Sequence, residues 1–161
     1  MSATAAVPES STIAERNAAI VGEFFLRYRE HDVDGMVDLF TVNADFSYPA
    51  YEIWGKQRVL RGDGKVRTVG KPIWTGFIEA FPDLTNVVHC VEANDEGDVV
   101  AQVDIGGRQQ LVWGFITPQG KAYTEPHLFI FHLDGEGLID SVTAYWDNAG
   151  ICRQLGHNEV D

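Results

Sequence analysis

The prevailing spacing of apolar residues changes near Pro82, and that change limits the folds open to this chain. Before it, apolar side chains recur every three to four positions, the spacing of one helix face; after it they alternate, the spacing of a half-buried strand. Helices followed by hairpin-connected strands predict an α+β domain with helices on one face of a curved antiparallel sheet. Thr12 and Glu15 form a capping-box pair, and behind them Ile13, Ile20, Val21, Phe24, Phe25 and Tyr28 make one helical stripe. His31-Asp32-Val33-Asp34 breaks that helix and caps a short second one carrying Met36, Val37, Leu39 and Phe40. Asp45 to Tyr48 alternates as a strand that is expected to stop at Pro49. A loop-rich stretch then runs to Lys71, with Val59-Leu60 and Lys65-Val66-Arg67 as arms of a small hairpin. Pro72 and Ile73 open a third helix with Trp74, Phe77, Ile78 and Phe81 on its apolar side. Strands are expected near 85–93, 98–106, 110–117, 123–133 and 138–146, and Asp147 or Asn148 caps a last helix that Gly156 stops.

Composition narrows the function. The formal charge is −12, with 24 acidic against 12 basic residues, which opposes binding to nucleic acid and to anionic membrane surfaces. No apolar run is long enough to span a bilayer, and the first 11 residues read as a disordered tail rather than a secretory signal. Residues 12–157 read as a single domain. Cys90 and Cys152 lack metal-ligand spacing, the five histidines are scattered, and a cytoplasmic protein without metal or cofactor is expected. No glycine-rich phosphate loop and no nucleophile elbow occurs. Four Trp, nine Phe and five Tyr suit a hollow fold walled by rings.

Several short motifs, in a consistent order, add a resemblance. They are His31-Asp32-Val33-Asp34-Gly35, the Ala44 to Pro49 strand, Ala80-Phe81-Pro82-Asp83, Tyr123-Thr124-Glu125-Pro126-His127, and Ile139 through Tyr145-Trp146-Asp147 to Gly156. Over roughly residues 13–156 the chain resembles the SnoaL-like polyketide cyclases of the ketosteroid-isomerase-like superfamily. The resemblance implies a cone-shaped sheet with three N-terminal helices on its concave face and a short C-terminal helix. It implies a small hydrophobic or aromatic ligand in the cone, and a homodimer through the sheet's outer face.

The family's chemistry can be carried over position by position. The base that the related ketosteroid isomerases place before the strand proline falls on Tyr48, a phenol suited to donate to an oxyanion and not to accept a proton at neutral pH. The last-strand acid of the SnoaL-like cyclases falls on Ala144, which can neither donate nor accept a proton. The Glu-x-His of the related phenazine isomerases corresponds to Glu125 and His127, two apart and so on one face, where the carboxylate would orient the imidazole as an acid/base. The pocket wall is expected from Phe46, Tyr51, Trp54, Trp74, Phe77, Val103, Trp113, Phe129 and Ala144. Six of the 12 basic residues, Lys56, Arg58, Arg61, Lys65, Arg67 and Lys71, crowd into one stretch that reads either as a lid drawing in an anionic group or as a solvated hairpin. Two functions remain open: a cofactor-independent cyclase, isomerase or lyase working by proton transfer, and a non-catalytic binding protein on the same fold.

Overall fold

A computed structural model describes residues 12–55 and 58–157, with 52–55 and 58–60 described by backbone only. The expected tail at 1–11, the side chain of Trp54, Lys56 and the side chain of Arg58 lie outside the described residues.

Helix α1 spans Ile13–Arg29, and its Thr12 hydroxyl accepts from the Glu15 amide as the capping pattern requires. His31 adopts a left-handed backbone (φ 60°) that ends α1, and Asp32 then caps α2, Val33–Val37, by accepting from Gly35 N at 2.9 Å. The second helix is shorter than its apolar spacing suggested, because Phe40 already opens the first strand. Strand β1 runs Phe40–Gly55 and β2 runs Arg58–Lys65, followed by a π-turn at Val66–Gly70 and α3 at Lys71–Ala80. The remaining strands are β3 Thr85–Ala93, β4 Asp98–Arg108, β5 Ala122–Leu133 and β6 Ile139–Tyr145. Helix α4, Asn148–Gln154, is capped by Asp147 through Gly150 N at 2.9 Å.

The six strands form one curved sheet in the order β2-β1-β6-β5-β4-β3. All neighbours are antiparallel except β1 and β6, whose parallel pairing the local pattern could not announce. Three other expectations need correction. Pro49 does not end β1; it sits in a bulge where the register with β2 shifts between Tyr48 and Glu52, so the missing N–H costs no ladder bond. Residues 110–117 are not a strand. The Gln109 side chain donates to Leu111 O and Ile116 O, and Gly114 at φ 60° turns the chain so that only Trp113 and Ile116 pair. The basic stretch is neither an irregular lid nor a small hairpin of its own: residues 58–65 are one edge strand, β2, that pairs with β1 and holds Val59, Leu60 and Lys65 together. Lys65 and Lys71 pair with Asp45 and Asp34 at 2.5 and 2.8 Å.

The core lies between α1, α3 and the concave face. Phe24 is its hub, with ring centroids 5.1–6.4 Å from Phe25, Tyr28, Phe40, Trp74, Phe129 and Phe131. Such ring pairs add about 0.5–1.5 kcal/mol each beyond the area they bury. Asn86 ties α1 to β3 by donating to Phe25 O and accepting from Arg29.

Candidate functional site

Strand β5 places Tyr123, Glu125, His127 and Phe129 on the concave face by simple alternation. The last turn of α1 brings Tyr28 to the same place, and β1 brings Tyr48 just ahead of its bulge. Tyr28, Tyr48, Tyr123, His127 and Phe129, with Phe77, Ile105, Trp113, Trp146 and Ile151, line a void of about 10 Å³. That is room for roughly one water molecule. Rings fill the rest of the cone.

His127 is 8% exposed and stacks on Trp146, with ring centroids 5.0 Å apart. Its Nδ1 lies 2.8 Å from the main-chain oxygen of Glu125, and a carbonyl can only accept, so Nδ1 carries the proton and Nε2 is a bare lone pair. Burial lowers the imidazole pKa to about 4. The ring is neutral at pH 7.

The expected partnership between the Glu125 carboxylate and His127 needs correction. Side chains two apart on a strand share a face but stand roughly 7 Å apart. The carboxylate accepts instead from Gln154 Nε2 of α4 at 2.9 Å, while Gln154 Oε1 takes the Thr124 amide. Burial first, and then Asp147, push the Glu125 carboxyl above its ordinary range. It is the main chain of Glu125 that orients the imidazole.

Tyr48 is buried, and its hydroxyl oxygen accepts the Trp74 indole N–H at 2.7 Å. One lone pair is thus occupied and the phenolic proton remains free to be donated. Burial raises its pKa well above the ordinary phenol value, outweighing the Trp74 hydrogen bond. Tyr28 and Tyr123 are raised in the same way, Tyr28 also by the neighbouring Tyr48 and Tyr123 phenols. Three neutral phenols and one neutral imidazole therefore line a single apolar void, able to donate to an oxygen and to accept one proton.

Of the residues expected to wall a pocket, Phe77, Trp113 and Phe129 line the void with Tyr48 and His127. Phe46, Trp74 and Ala144 are packed within the core, Ala144 beside Phe129 in the sheet. Tyr51 lines a surface groove of about 290 Å³ with Ile73, Gly76, Glu79, Leu111 and Trp113. Val103 reaches an open cleft of about 590 Å³ on the outer side, bordered by His89, Gln102, Leu128 and Tyr145, with His127 and Trp146 shared between cleft and void. Tyr28 and Tyr123 were missed as site residues. The stripe of α1 and the alternation back from His127 both pointed to them.

The indole N–H of Trp113 is buried without a hydrogen-bond partner among the described residues. A donor left unmet in this way costs about 1–3 kcal/mol. Among the described residues no group of three His, Cys, Asp or Glu is placed to hold a metal ion.

Comparison with known proteins agrees with this architecture. The family model for the SnoaL-like domain matches residues 21–142. No curated protein matches the sequence. Among solved structures, a provisionally assigned SnoaL-like polyketide cyclase from Jannaschia sp. CCS1 superposes with a TM-score of 0.70 at 18% identity, over 92% of this chain and 97% of its own. IdmH, a provisionally assigned polyketide cyclase from Streptomyces antibioticus, gives a TM-score of 0.70 at 18% identity over 87% and 98% of the two chains. A protein of ketosteroid isomerase-like fold from Catenulispora acidiphila, solved with trimethylamine, gives 0.64 at 14% identity over 86% and 92%.

Proposed function

From the premise that this chain belongs to the SnoaL-like domain family, we propose that it is a cofactor-independent enzyme that cyclises or isomerises a small hydrophobic, aromatic or polyketide-like molecule by proton transfer. One observation carries the reading: neutral His127, whose Nε2 is bare, and Tyr48, whose phenolic proton Trp74 leaves free, line the same void. His127 takes a proton from carbon next to a substrate carbonyl, and Tyr48 donates to the enolate oxygen as charge develops there. In isomerisation the imidazolium returns the proton to another carbon. In cyclisation the enolate carbon bonds to a second carbonyl of the same molecule and the imidazolium protonates the new alkoxide. Either product is an isomer of the substrate, so no cofactor is consumed. The neutral imidazole is a weak base, and the negative enolate forming beside it favours its protonation.

The experiment is hydrogen exchange at the carbons flanking the carbonyl of 2-tetralone in deuterated water, followed by NMR. Wild-type protein should exceed buffer by about 100-fold or more, with His127→Gln falling to the buffer rate and Tyr48→Phe losing about tenfold or more. Exchange unchanged in His127→Gln would sink the proposal.

Non-catalytic binding is a second reading, favoured by Ala144 standing where the resemblance puts an acid and by the lack of a carboxylate among the described residues lining the void. It predicts that 2-tetralone raises the melting temperature without exchanging. The provisional assignment of two structural neighbours as polyketide cyclases supports the catalytic reading. A homodimer through the outer face of the sheet, where Val87, Val100, Leu128, Ile130 and Tyr145 are exposed, completes the proposal.

A further inference from the structure

Trp113 stands in the wall between the void and the 290 Å³ groove, and it is the residue that lines both. The wall is a triangle of rings: Tyr51 to Phe77 at 5.6 Å, Phe77 to Trp113 at 5.7 Å and Tyr51 to Trp113 at 6.1 Å. Each ring comes from a different segment, β1, α3 and the 109–121 connection. Behind Trp113 the connection is tied down by Gln109 and by the Gln110 amide, which donates to Ala80 O at 2.7 Å. Its tip presents Leu111 and Val112 to solvent at 58% and 57% exposure, beside the groove. Trp113 itself is 4% exposed, and its buried N–H has no partner among the described residues.

We propose that Trp113 is the movable wall of the binding site, and that its occupant is a flat, apolar molecule of about two fused rings whose oxygen accepts the Trp113 N–H. When the indole swings out, void and groove join. The void alone admits a water, whereas the two together reach the roughly 300 Å³ at which small-molecule pockets begin. The apolar tip then covers the occupant instead of facing solvent, and the unmet donor gains its acceptor. The inference rests on reading the cone interior as the binding site, and needs no reaction there.

The test uses 2-naphthol, a fluorescent two-ring molecule with one oxygen, mixed with the whole protein in a stopped-flow instrument. Trp113→Ala should raise the association rate about tenfold or more, because opening of the wall no longer limits it. Trp113→Phe keeps a ring and loses the donor, so affinity should weaken roughly five- to tenfold. In wild-type protein the Trp113 indole N–H signal, identified by its absence from Trp113→Phe, should move downfield on titration with 2-naphthol. That readout needs no destabilising variant. An unchanged rate in Trp113→Ala, a stationary Trp113 signal, absence of 2-naphthol binding, or acceleration by Trp146→Ala instead would each overturn the proposal. If 2-naphthol binds past Trp113 while 2-tetralone shows no exchange, the catalytic reading fails and the entrance stands.

Discussion

At His127 burial and function pull in one direction. The folded imidazole has its pKa lowered to about 4 by burial, against an ordinary value of 6.5. Between those values the unfolded chain holds a proton that the native protein refuses. The stabilising contribution is therefore complete above about pH 6.5 and is lost as pH falls toward 4, with an upper limit of about 3 kcal/mol. Wild-type protein should lose more stability than His127→Gln between pH 7 and pH 4, measured by urea denaturation in matched buffers. Parallel losses would mean that the imidazole is solvated in the native state. His132 provides a contrast on the outer face: its hydrogen bond to Asp140 raises its pKa, so its small, exposed contribution fades as pH rises. Alternation along β5 made His127 legible from sequence, and the same alternation leads back to Tyr123, which was missed. The partner of Glu125 was not, because Gln154 arrives from α4, 29 residues away.

At the scale of elements, helix α1 matters through one ring. Phe24 is fully buried and meets six other aromatic rings from α1, β1, α3 and β5. Phe24→Ala should cost about 3–5 kcal/mol in chemical denaturation. A cost below about 1 kcal/mol would show that the surrounding rings collapse into the gap, and that the cone is softer than its packing implies. The elements easiest to read were those with a sustained period or a side-chain cap: α1, α3, α4 and β3 to β6. The failures share a cause. Residues 110–117 have the composition of a strand, yet a buried glutamine and a glycine turn fold them on themselves. Pro49 looked like a strand end because a bulge is invisible without the partner strand. Parallel pairing of β1 with β6 joins segments about 100 residues apart, which no local pattern encodes.

For the whole molecule, the sheet divides two surfaces with different tasks. The concave side holds the phenols and the imidazole. On the outer side Val100 faces Ile130 and Leu128 faces Tyr145 across neighbouring strands, so the exposed apolar residues are contiguous. If a second copy covers them, Leu128→Glu combined with Ile130→Glu should sediment as a monomer under conditions where wild-type protein sediments as a dimer. A monomeric wild type at tens of micromolar would remove the dimer from the account. The central claim concerns the inside: a neutral, buried imidazole takes the proton. It is tested most directly by the rate of 2-tetralone exchange at pH 5 relative to pH 7, after subtraction of the buffer rate. With His127 titrating near 4, about nine-tenths of the protein keeps a bare Nε2 at pH 5, so the rate should barely change. A base titrating near the ordinary 6.5 would lose more than tenfold over the same interval, and that result would contradict the account.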